Sequence, residues 1–168
     1  MLYVLLEGLD DERFFEKVMR PHLEEKYGQV FTWQYSSRNK EKIRDFIKTI
    51  KCMGCHMVFL ADNDENPAGQ RLQKVLQKFP LLAEDDVFVV VKEIESWYLA
   101  GVSPELPGFC QKASPVSTDD ICKELFSGFF KDLPRSEIML SILNQFDLES
   151  AKAKNQSLRD FCGHYIDS

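Results

Sequence analysis

The first 92 residues alternate between short apolar runs and amphipathic stretches, and this alternation constrains the fold more than any other feature of the chain. Residues 2 to 7 (LYVLLE), 29 to 36 (QVFTWQYS), 56 to 62 (HMVFLAD) and 86 to 92 (DVFVVVK) read as strands. The fourth is apolar without alternation, as in a strand covered on both faces. Between them lie helical patterns. One begins near Asp10 or Asp11, either of which can cap it, and runs to about residue 27, with Pro21 kinking or dividing it. RNKEKIRDFIKTIK, residues 38 to 51, places Ile43, Phe46, Ile47 and Ile50 on one stripe. PAGQRLQKVLQKF, residues 67 to 79, has Pro67 in its first turn and Asn66 as a cap. A β-α-β-α-β-α-β order implies a mostly parallel four-stranded sheet between helices, a Rossmann-like three-layer α/β sandwich.

After Gly101 the texture changes. GVSPELPGFCQKASPVS reads as a long connection, followed by helical patterns near residues 118–126, 135–146 and 156–166. The expected organisation is an α/β core over 1–100 and a helical extension over 101–168, packed on the core as one compact domain. A length of 168 residues suits one such core. No apolar run approaches the ~20 residues that span a bilayer, and the N-terminus lacks the basic region of a signal peptide. The expectation is a cytoplasmic protein with no membrane association.

Five cysteines without an export signal point to thiols rather than a disulfide framework. Cys52-Met53-Gly54-Cys55-His56 matches the C-x-x-C-H pattern of haem attachment. It runs directly into an apolar strand, so it reads as a helix end with Gly54 as the stop, and no haem is expected.

The acids carry more information. Glu7 closes the first strand, with Asp11 just after it; Asp62 and Asp64 close the third; Glu93 and Glu95 follow the fourth. In an open parallel sheet, ligands bind beyond the carboxyl ends of the strands. Gathering these groups there is costly unless a hard cation compensates them, and carboxylate oxygens suit Mg2+ or Mn2+. Asp62-x-Asp64-x-Asn66 opens like a calcium loop but fails at Pro67 and Gln73, which stand where that loop needs its glycine and its closing glutamate. No Walker A, G-x-G-x-x-G or serine–histidine arrangement is present. Structural readings compete for each acid: Asp11, Glu93 and Glu95 can complement helix N-termini.

Three motifs in order, Glu7-Gly8-Leu9-Asp10-Asp11, Asp62-Asn63-Asp64 and Glu93-Ile94-Glu95-Ser96-Trp97-Tyr98-Leu99-Ala100, resemble a Toprim domain. The resemblance is to small Toprim-like proteins related to OLD-family nucleases, and it covers about residues 1–100. It extends more loosely to Lys131 and to Asn155-Gln156-Ser157-Leu158-Arg159-Asp160-Phe161. It implies divalent-metal-dependent phosphodiester cleavage of nucleic acid, DNA in the first instance. Mg2+ or Mn2+ would be held by Glu7, Asp11, Asp62, Asp64, Glu93 and Glu95. Glu7 would also serve in proton transfer, and Lys131 or Lys92 would face the developing phosphate charge. It further implies a role in phage defence and a partner, an ATPase or another protein, that supplies DNA engagement. The six candidate acids equal in number the net charge of −6. The basic residues Arg38, Lys40, Lys42, Arg44 and Lys48 form a face that suits a nucleic-acid backbone; a solvated helix face is the plainer reading. Two other functions stay open: an interaction module that keeps the acids without cleaving, and another acid-cluster phosphate hydrolase.

Overall fold

A computed structural model describes residues 1–63, 69–109, 115–130 and 133–168. The chain divides into two compact units, Met1–Val90 and Val91–Ser168. The division falls after the fourth strand.

The first unit is α/β. Strands β1 (Leu2–Leu6), β2 (Val30–Gln34), β3 (His56–Asp62) and β4 (Val87–Val90) form one sheet in the order β2-β1-β3-β4. Every pairing is parallel, with Leu5 opposite Trp33 on one side and Phe59 on the other. Helix α1 (Leu9–Phe14), a π-helical turn (Phe15–Met19) and α2 (Arg20–Tyr27) follow β1. Helix α3 (Lys40–Cys52) follows β2, and α4 (Gln70–Lys78) follows β3.

Side-chain alternation assigns these helices to opposite faces. Leu5, Met57, Phe59, Ala61 and Val87 pack with Ile43, Ile47 and Ile50 of α3 and with Val75 of α4. The other face belongs to α1 and α2: Thr32 and Gln34 of β2 donate hydrogen bonds to Glu12, and Thr32 also to Glu16. The sheet is thus covered on both sides, a Rossmann-like three-layer sandwich, and its strands are correspondingly apolar.

Local chemistry explains several boundaries. Pro21 divides the first helix, one of the two outcomes that its position suggests. It sits in the opening turn of α2, and the π turn before it accommodates the missing amide. The cap of α1 is Gly8, and Asp11 acts from the third helical position, its Oδ2 accepting from the Gly8 amide at 3.1 Å. Helix α3 is capped by Asn39, whose side chain accepts from the Lys42 amide at 2.9 Å. It ends as expected near Gly54, where φ is +65°. Helix α4 starts later than the sequence suggested, at Gln70, behind Gly69 with φ +83°; Asn66 and Pro67 lie outside the described residues.

The second unit is helical: α5 (Glu95–Ala100), α6 (Lys123–Gly128), α7 (Arg135–Asn144), α8 (Leu148–Lys154) and α9 (Gln156–Tyr165). Its core includes Trp97, Tyr98, Phe126, Met139, Leu158 and Phe161. Asn155 caps α9, accepting from the Leu158 amide at 2.8 Å, and its Nδ2 donates to Thr118 Oγ1 at 3.0 Å. Among the described residues no helix is long and apolar enough to cross a membrane.

Candidate functional site

The strand order puts the acids of the first unit where a parallel sheet has its natural crevice. From β1 the chain crosses to β2 on one side and later returns to β3 on the other, so the topological switch point lies between β1 and β3. Glu7 directly follows β1, and Asp62 is the last residue of β3. Adjacent strands are separated by about 4.8 Å. By alternation Asp62 belongs to the face of Val58 and Leu60, on the side of α1, where Asp11 sits in the first turn.

Tyr35 organises this end of the sheet. It follows β2 and its ring stacks on Phe59, with centroids 4.4 Å apart. Its hydroxyl therefore reaches across β1 and donates to the Leu60 carbonyl at 2.9 Å, with Glu7 Oε2 at 3.5 Å. Burial raises the Tyr35 hydroxyl well above its ordinary range, and the negative charges of Glu7, Asp11 and Asp62 add to the effect while Arg71 opposes it. Tyr35 therefore stays a neutral donor at physiological pH, in the field of all three carboxylates. Arg71, in the first turn of α4, lies 3.9 Å from Glu7. Asp11 is 6% exposed, whereas the Glu7 side chain is 42% exposed and open to solvent.

Of the six candidate carboxylates, then, Glu7, Asp11 and Asp62 belong to the strand-end region of the first unit. Asp64 lies outside the described residues, as does Lys131. Glu93 and Glu95 belong to the second unit, where each has a partner of its own. Glu93 Oε2 accepts from the Lys123 amide at the start of α6. Glu95, 4% exposed, is ion-paired with Arg135 of α7. Burial pushes the Glu95 carboxyl above its ordinary value, and Arg135 pulls against that shift. Lys92 holds a left-handed backbone with φ +62°, uncommon for a residue with a Cβ.

Arg38, Lys40, Lys42, Arg44 and Lys48 are all exposed, on α3 and the turn before it. Glu41 and Asp45 are exposed among them. Among the described residues no three His, Cys, Asp or Glu side chains stand together closely enough to hold a metal ion.

Sequence reasoning overlooked Tyr35, Arg71 and Ser157. Tyr35 was visible only as one aromatic of an alternating strand, and Arg71 as one cation of an amphipathic helix. Ser157 Oγ accepts from Trp97 Nε1 at 3.0 Å and from the Val91 amide at 3.2 Å, which gives the late Asn155–Phe161 motif a structural role. No protein-family model, curated protein or solved structure matches the chain.

Proposed function

We propose that this chain is a Toprim-like, divalent-metal-dependent nuclease whose chemistry centres on the carboxyl ends of β1 and β3. The observation that supports the reading best is the position of Glu7 and Asp62 at the carboxyl ends of β1 and β3, the adjacent strands that flank the switch point of a fully parallel sheet. These are the strand ends at which the E-G-x-x-D and D-x-D patterns fall.

The donor set fits a hard cation in kind: carboxylates only, without thiolate or imidazole, as Mg2+ or Mn2+ prefers. Asp62 and Glu7 would hold such an ion, with Asp64 and Asp11 as further donors; a bound ion supplies Lewis-acid polarisation of a phosphoryl oxygen and a more acidic water. The chain's own groups do the rest. Glu7 is solvent-accessible and suited to accept and return a proton. Arg71, beside Glu7, is a fixed positive charge for a phosphate oxygen. Tyr35 pins the end of β3 through the Leu60 carbonyl, which holds the neighbouring Asp62 in place. Asp11 has Oδ2 committed to the Gly8 amide, so it also fixes the turn that carries Glu7.

The test joins calorimetric titration of Mg2+ and Mn2+ with cleavage of supercoiled plasmid, comparing the natural chain with Asp62→Asn. Loss of a ligand should lower cleavage by about 100-fold or more, since even an outer-shell change costs 10–100-fold. Metal binding should weaken while the far-ultraviolet circular dichroism is unchanged. Plasmid cleavage that survives Asp62→Asn would refute the assignment. Metal binding without any cleavage would favour the interaction module. Release of phosphate from small monoesters, with no effect on plasmid, would favour a monoester hydrolase.

A further inference from the structure

Helix α4 carries a cationic row that leads away from the acidic strand ends. Arg71, Lys74 and Lys78 line a cavity of about 80 Å³ together with Tyr35, Val75 and the buried rings of Phe59 and Phe79. The helix contains no acid over Gln70–Lys78, whereas the basic face of α3 is interrupted by Glu41 and Asp45. From 71 to 78 the row advances about 10.5 Å at the helical rise. Beyond it, Arg44 reaches the Lys78 carbonyl at 3.5 Å and lines an adjoining cavity of about 70 Å³ with Phe79 and Leu81.

We propose that this α4 groove is a phosphate-backbone subsite for nucleic acid, with the acidic strand ends at one end of its track; the proposal rests on the nuclease reading. Two features select the occupant. The cavity is small against the 300–1,000 Å³ of a drug-sized pocket, so it takes a phosphate and not a nucleoside. The cationic row is longer than one phosphate, which favours a polyanion over a free ion. Arg71 joins the two sites, because it lines the groove and stands beside Glu7.

The experiment measures binding of a fluorescein-labelled oligothymidylate by anisotropy over a range of NaCl concentrations. EDTA is present throughout, so cleavage plays no part. Neutralising two phosphate contacts with Lys74→Gln/Lys78→Gln should reduce the slope of log K against log [salt] by about 1.4, at about 0.7 per contact. Binding at 0.1 M salt should then weaken roughly 25-fold, that slope change taken over one decade of salt. The same charge change on the opposite face of the sheet, Lys17→Gln/Lys26→Gln, should leave the slope as it is. An unchanged slope in the α4 variant, equal losses in both variants, or no binding by the natural chain would overturn the subsite. A normal slope change in a chain that never cleaves with Mn2+ would uphold it while removing the nuclease reading. Cleavage with Mn2+ and an unaltered α4 slope would do the reverse.

Discussion

Replacing Arg135 with methionine isolates the cost of one buried negative charge. Glu95 is 4% exposed and opens α5, and Arg135 is its ion-pair partner, with a side chain 32% exposed. Breaking a fully buried pair costs about 3–5 kcal/mol. A hydrogen bond to a charged group contributes about 1.5–3 kcal/mol. Solvent reaches Arg135, so the lower range applies, and the expected loss at pH 7 is about 2 kcal/mol. For a chain of this size that lowers the melting temperature by about 4–8 °C. The pH dependence distinguishes this cause from lost packing. The Glu95 carboxyl already titrates above the ordinary 4.5, chiefly through burial, so folding takes up a proton in the range above that value. The stability tied to that proton is present below pH 4.5 and falls as pH rises through the folded value. Without Arg135 the folded value climbs further, and the loss extends to higher pH. Urea unfolding followed by tryptophan fluorescence should show about 2 kcal/mol of destabilisation at pH 7 and about 1 kcal/mol or less at pH 4, where the protonated form of Glu95 predominates in both states. Equal losses at the two pH values, or a loss under about 0.5 kcal/mol at pH 7, would refute the reasoning.

Two further outcomes are expected. Burial pushes the Cys162 thiol up to about 12, so iodoacetamide at pH 8 should spare Cys162 and label the exposed Cys52, as read by peptide mass mapping of the folded protein. Ser157→Ala removes the acceptor of both Trp97 Nε1 and the Val91 amide; stability should fall by about 1–3 kcal/mol, with an altered Trp97 emission, measured by urea titration.

Much of the fold was legible because its strands announce themselves locally. VFVVV at the fourth strand has no polar face, and the Ile43–Ile47–Ile50 stripe fixes both the helix and the side of it that meets the sheet. Other elements gave weaker signals. The π turn arises from where Pro21 falls within a continuous apolar stripe, and the stripe looks the same with or without the extra residue. Helix α8 is short, and its sign is an Asp147 cap accepting from the Glu149 and Ser150 amides, a polar signal easily taken for a turn. For the site, the acids could be read from the sequence but their neighbours could not. That Glu7 and Asp62 end adjacent strands depends on strand order, which alternation leaves open. Arg135 reaches Glu95 across forty positions with no local pattern to mark it. Arg71 and Tyr35 likewise matter through tertiary placement, in a helix face and a strand that look ordinary one residue at a time.

The π turn at Phe15–Met19 has an evolutionary reading. A helix takes that wider winding when it must absorb one surplus position without losing its flanking contacts. Downstream of it, Arg20 meets the Val30 carbonyl on the border strand β2 while also engaging Glu16 and Glu24. A homologue shorter by one residue in that stretch would wind regularly and turn this arginine by about 100° around the axis, leaving the border strand without its clasp. Insertions and deletions there, more than substitutions, should therefore sort the descendants of this architecture.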